Sequence, residues 1–157
     1  MIETSVGPLD PDAVAAGYLR HSAELRRDDD PDAAHDPRDA DTAAYDALDR
    51  IVRRGPPAAG WDLVVRVLRQ SHDDELGLHA AGPLEDLVRH WGAELVDRIE
   101  AEAAGDERFR RALGGIWLSV RDLPPEVMRR VVGASGGQIR PLDADADAAR
   151  DHRGPVT

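Results

Sequence analysis

Phe109, Ala112, Leu113, Ile116 and Trp117 stand at i, i+3, i+4, i+7 and i+8, the spacing of one apolar helical face. Leu84, Leu87, Val88 and Trp91 repeat that spacing upstream, behind Gly82-Pro83, which reads as the end of one helix and the start of the next. Glu85 and Asp86 then fall in a first turn, where carboxylates suit the positive end of the helix dipole. Gly92 is read as closing that short helix. Another is expected from about Glu94 to Ala104, with Leu95, Val96, Ile99 and Ala103 inward and Gly105-Asp106 supplying the break and the next N-cap. Gly114-Gly115 interrupts the last stripe. Interior glycines cost about 1 kcal/mol each relative to alanine, so a close helix crossing or a kink is expected there. Together the stripes predict a dry interior containing the indoles of Trp91 and Trp117.

The rest of the chain continues the helical pattern. Asp10-Pro11 opens a first helix whose sparse apolar face is Val14, Tyr18 and Leu25. A second, from about Thr42 to Arg53, turns Tyr45, Leu48 and Val52 inward. A third, from about Pro57 to Gln70, carries Trp61, Val64, Val65 and Leu68 on one face, thickened by Leu63 and Val67. Ser71-His72-Asp73-Asp74 has the form of a capping box before a short helix through Leu76, Leu78 and Ala80. Pro124-Pro125-Glu126 starts a final helix with Val127, Met128, Val131 and Val132, ended by Gly133. Strand signals are nearly absent, and no repeat of 30 to 45 residues is visible. The fold class expected is all-α: an irregular antiparallel multi-helix bundle, with HEAT-like helical hairpins as the second architecture. Residues 1–9 read as an N-terminal tail, 10–132 as a single helical domain, and 133–157 as a flexible, disordered C-terminal tail.

Composition narrows the possibilities. Residues 28–41 hold acids, prolines and alanines with no larger aliphatic residue, and they read as a solvated acidic connector inside the domain. The calcium-loop pattern of alternating aspartates, glycine and closing glutamate is absent from it. The net charge is −11, and residues 1–41 alone hold 11 acids against 4 arginines. That distribution repels nucleic acid and anionic membranes and favours a cationic partner. No run of about 18 apolar residues and no signal-peptide pattern occurs. With no cysteine, disulfides and thiolate chemistry are excluded. The cytoplasm is the expected compartment.

Three strings carry a resemblance. Ala81-Gly82-Pro83-Leu84-Glu85-Asp86-Leu87, then Arg98-Ile99-Glu100, then Arg108-Phe109-Arg110-Arg111-Ala112-Leu113 closed by Trp117, resemble an uncharacterised bacterial family of small helical domains of unknown function. The resemblance spans roughly residues 10–132. It implies the helical fold and supplies no reaction, ligand or partner.

Two constellations bear on chemistry. Glu75 with His79 and Asp86 with His90 are i,i+4 pairs, and four such groups brought together would suffice for a divalent metal. The same spacing is a common surface pair worth about 0.2–0.5 kcal/mol. Arg108, Arg110 and Arg111 open a helix against the dipole preference. They read as a solvated face paired with Glu107 and acids of the preceding helix, or else Arg108 or Arg110 turns inward to bridge Glu85 or Glu100. No phosphate loop, nucleophile elbow or zinc-protease string occurs. No catalytic residue and no cofactor is assigned. The function expected is a non-enzymatic protein–protein interaction module, an adaptor or an immunity-like inhibitor, binding another protein that is basic. Glu85, Asp86, Arg108 and Arg110 are the candidate binding residues. The alternative is a metal-dependent enzyme using Glu75, His79, Asp86 and His90.

Overall fold

The structure is a computed structural model that describes residues 1–27 and 36–142. It is an all-α, multi-helix fold with one small two-stranded sheet, and it divides into two compact units, Met1–His79 and Ala80–Thr157. Residues 28–35 of the acidic connector and the stretch from Asp143 onward lie outside the described residues.

The first unit opens on a hairpin where the sequence suggests a tail. Strands β1 (Ile2–Thr4) and β2 (Gly7–Leu9) pair antiparallel with Ile2 opposite Leu9, Glu3 opposite Pro8 and Thr4 opposite Gly7. Three-residue strands are too short to show a two-residue alternation. The legible signal was Gly7, which takes φ +112°, a region that side-chain-bearing residues rarely enter. Helix α1 (Pro11–Leu25) starts at the Asp10 cap, whose carboxylate accepts the Ala13 N–H at 2.8 Å. Helix α2 (Ala40–Arg54) starts two residues earlier than expected, because Asp39 caps it by accepting the N–H groups of Asp41 and Thr42. Those bonds hold the Asp39 carboxyl below its ordinary range, the Thr42 backbone bond contributing most. Helices α1 and α2 approach closely at Gly17, where a β-carbon would lie 2.6 Å from that of Ala44.

Helix α3 (Pro57–Gln70) has the expected bounds and buries Trp61, Leu63, Val64, Val65, Val67 and Leu68. Ser71 departs from the capping-box reading. It ends α3, its hydroxyl donating back to the Val67 carbonyl at 2.6 Å, and the short α4 (Leu76–His79) follows without it.

The second unit corrects the punctuation read at Gly82-Pro83. Ala80–Leu84 is a single π-helical turn that runs into α5 (Glu85–Gly105) without a break. The wider turn absorbs a proline that has no N–H to donate. Gly92 does not close a helix either, since α5 runs 21 residues through it. A β-carbon on Gly92 would stand 2.8 Å from Cδ2 of Leu123, so glycine admits that leucine to the helix surface. Leu84, Leu87, Val88 and Ile99 are all at most 1% exposed. Full burial of side chains this size stabilises by about 1.5–3 kcal/mol each.

Helix α6 (Glu107–Leu113) is capped by Asp106, which accepts from Arg108 and Phe109, and it stops at Gly114. The glycines therefore end the helix, in place of the close helix crossing or kink that the sequence suggests. The space beside Gly114 is filled by the side chain of Gln138. Helix α7 (Pro125–Ala134) lies along α5, where Arg130 reaches Asp97 at 2.6 Å and Glu100 at 2.9 Å. The Arg130 bond keeps Glu100 ionised below the usual carboxylate range. Packing continues beyond Gly133: Ser135 and Ile139 are buried, and Leu142 bridges in parallel to Ser119. No described helix is long and apolar enough to cross a membrane.

Candidate functional site

The chain leaves α6 at Gly114 and changes its side-chain period. Ile116 is 3% exposed, Trp117 65% and Leu118 0%, the in-out-in order of extended backbone. This overturns the expectation that Trp117 belongs to the interior. The stripe from Phe109 is helical only to Leu113, and past it a period of two turns the indole outward.

Three side chains fix this ledge to α5. The Oε2 of Glu85 accepts the Trp117 backbone N–H at 2.8 Å, and its Oε1 accepts from Nη2 of Arg89 at 2.8 Å. The same Nη2 donates to the Trp117 carbonyl at 3.1 Å. Arg89 Nε reaches Oδ2 of Asp122 at 3.3 Å, and that oxygen accepts the Ser119 N–H at 2.7 Å. Asp86 stands 3.5 Å from Nη1 of Arg89. Burial works against the Arg89 charge, yet the hydrogen bonds to Glu85 and Asp122 outweigh it and hold its pKa above the usual arginine value. The residues at 117 and 119 are thus bound through their backbone to charged groups, which are stronger partners than neutral ones. Beyond them, the Leu142 N–H donates to the Leu118 carbonyl, and the Val120 N–H to the Leu142 carbonyl. This sets Leu142, 49% exposed, opposite Ser119.

Of the binding residues read from sequence, Glu85 and Asp86 belong to this mount, with 14% and 20% of their side chains exposed. Arg108 and Arg110 are half-buried on α6, and Arg110 stands 4.0 Å from Glu107. Glu85 and Glu100, the acids named as possible partners of Arg108 and Arg110, carry Arg89 and Arg130. Arg89 was missed, although it sits i+4 from Glu85, a helical ion-pair spacing.

The residues of the metal alternative are engaged as follows. Glu75 pairs with Arg26 at 2.5 Å, and Nδ1 of the exposed His90 lies 2.8 Å from the Asp86 carbonyl. His79 is 1% exposed, and neither ring nitrogen has a hydrogen-bond partner. Its ring meets Tyr18 edge-on at 5.7 Å. Burial pushes the His79 imidazole below its ordinary pKa, the Glu75 carboxylate drawing it up and Arg26 adding to the depression. Among the described residues no three His, Cys, Asp or Glu side chains are gathered to hold a metal ion.

Tyr18 stacks on Tyr45 with centroids 5.2 Å apart, and Tyr45 meets His21 at 5.0 Å. His21 is buried, with Nδ1 3.4 Å from the Thr42 hydroxyl. Glu24 three residues on is at helical pair spacing, and its carboxylate stands 4.0 Å from Nδ1. A second signal is the place of His21 on the α1 stripe, seven residues after Val14 and three after Tyr18.

The family model for the Family of unknown function (DUF6869) matches residues 33–139, and the chain belongs to that family. Comparison with curated proteins and with solved structures gives no match.

Proposed function

We propose that this family member is a non-catalytic protein–protein interaction module, an adaptor or an inhibitor that works by covering its partner, with Trp117 as its anchor. The observation that carries this reading is a tryptophan 65% exposed between two buried neighbours, on backbone bonded to charged side chains at both its N–H and its carbonyl. Tryptophan is enriched among the residues that dominate interface energies. A ledge already fixed before binding reduces the ordering cost of association. Leu142, bridged to Ser119 two residues after Trp117, is a second exposed apolar side chain.

The partner proposed is a basic protein surface. The mount places Glu85, Asp86 and Asp122 around one arginine, in a chain of net charge −11, a field that speeds the encounter with a positive partner and opposes nucleic acid and anionic membranes. A partner arginine stacked on the Trp117 face would gain a cation–π contact of about 0.5–2 kcal/mol. The acidic leader supports this reading less directly, because two of its aspartates have structural work. Asp39 caps α2, and Asp41 binds Arg20 through both oxygens at 2.6 and 2.8 Å.

Parallel affinity capture from the native cell with the wild-type chain and Trp117→Ala, read by mass spectrometry, tests the proposal. A protein retained by the first and lost from the second supports it. Identical captures from two equally folded baits contradict it.

A further inference from the structure

Two buried polar side chains of the first unit have no hydrogen-bond partner among the described residues. His79, 1% exposed, leaves both ring nitrogens unmet, and Ser22, 9% exposed, leaves its hydroxyl oxygen unmet. Folding costs such a group the bonds it makes with water in the unfolded chain, so a buried polar atom without a protein partner calls for an explanation.

Helix geometry gives the two side chains a common location. Tyr18, Ser22 and Arg26 stand at i, i+4 and i+8, a row along one face of α1 and its C-cap. Both ends of that row touch the same short turn. Tyr18 meets the His79 ring at 5.7 Å, and Arg26 bonds to Glu75 at 2.5 Å. Glu75 and His79 are themselves four residues apart, and the His79 N–H donates to the Glu75 carbonyl at 3.2 Å. The two segments therefore run antiparallel, pinned at 18 to 79 and at 26 to 75. Ser22 lies between the pins, about 6 Å along the helix axis from Tyr18 at 1.5 Å per residue, and faces the turn that carries His79.

Chemistry selects the occupant of the space they share. Burial lowers the pKa of the His79 ring, so near neutral pH the ring is uncharged and offers an anion nothing to pair with. A metal ion finds no set of ligands. The Glu75 carboxylate takes Arg26, and among the described residues no three His, Cys, Asp or Glu side chains are gathered. What fits is a small neutral molecule that both donates and accepts. A neutral imidazole presents one N–H and one bare nitrogen, and a serine hydroxyl works either way. The burial of both residues admits nothing large.

We infer that the Ser22 hydroxyl and one ring nitrogen of His79 together bind an internal water molecule, which hydrogen-bonds α4 to α1. Buried waters occupy sites of this kind, bridging polar groups that the protein itself leaves unmet. The inference is independent of Trp117, which lies in the other unit.

The test is a crystal structure of the full chain near neutral pH, at a resolution that shows ordered water. A water should stand within about 3.2 Å of both the Ser22 oxygen and one nitrogen of His79. In solution, oxygen-17 relaxation dispersion counts long-lived internal waters. Ser22→Val removes the hydroxyl and fills its surroundings with methyl groups, and it should lose the contribution of one water. In a His79→Phe background the same substitution should lose nothing more, because the shared water is already gone. The inference is overturned by a direct bond between Ser22 and His79, by a Ser22 hydroxyl turned to the Tyr18 carbonyl four residues back, or by no water at that position. It is equally overturned by an unchanged dispersion amplitude in folded Ser22→Val, or by the same loss in both backgrounds.

Discussion

The carboxylate of Glu85 holds the backbone N–H of Trp117 at 2.8 Å, across 32 residues of sequence. One oxygen of a residue in the first turn of α5 fixes the loop on which the most exposed aromatic ring of the second unit stands, and the other fixes Arg89. Removing that carboxylate releases both. Glu85→Ala is expected to destabilise the fold by about 1–3 kcal/mol, the cost of losing charged hydrogen bonds to partly buried groups. The Trp117 amide should then exchange with solvent far faster than in the wild type. Chemical denaturation and residue-resolved hydrogen exchange measure the two effects. Unchanged protection at Trp117 would mean that the ledge is held by something else.

Gly92 and Gly133 are both helical glycines, and they should respond to alanine with opposite signs. Beside Gly133 nothing stands within 4 Å of an added β-carbon, so Gly133→Ala should stabilise by about 0.5–1 kcal/mol through helix propensity alone. At Gly92 the same gain meets Leu123 at 2.8 Å, and overpacking of about 1–3 kcal/mol outweighs it. Leu123→Ala, costly in the wild type because the side chain is buried, should cost less in the Gly92→Ala background. A double-mutant cycle by denaturation measures the coupling, and additive effects would remove Leu123 as the cause.

His79 sets a pH dependence. Its imidazole is buried and its folded pKa lies below the unfolded value near 6.5, so the unfolded chain takes up the proton first. Above that value the ring is neutral in both states and its titration adds no pH dependence. As pH falls below about 6.5 it destabilises the fold progressively, by up to about 1.4 kcal/mol per unit, until the folded pKa is reached. Comparing denaturation of wild type and His79→Leu between pH 7.5 and 5 isolates the contribution. The wild type should lose stability more steeply on acidification, and parallel curves would contradict the assignment.

What the sequence revealed and what it hid divide along one physical line. The helices from Pro57 to Gln70 and from Asp10 onward were legible because their caps and apolar spacing act locally. Errors came where a residue's role depends on a distant neighbour. Gly82-Pro83 reads as a break, yet a π turn carries the chain through it. Gly92 reads as a helix end, yet it is a seat for Leu123. Trp117 fits a helical stripe in the one-dimensional pattern, and only the end of α6 at Gly114 reverses its direction. Half of the site could be read: Glu85 and Asp86 were named for their helix position, but their work on Arg89 and on the 117–119 backbone is a long-range contact with no periodic signature. Ile139 was hidden in the same way, one aliphatic residue in a stretch of glycines and polar residues, buried by tertiary packing.

The most direct measurement is the equilibrium affinity of the captured partner for the wild-type chain and for Trp117→Ala, by calorimetry at fixed salt. An anchor of this kind should cost about 2 kcal/mol or more, roughly a thirtyfold rise in Kd, with the variant's unfolding midpoint unchanged. Equal dissociation constants for the two proteins would contradict the account.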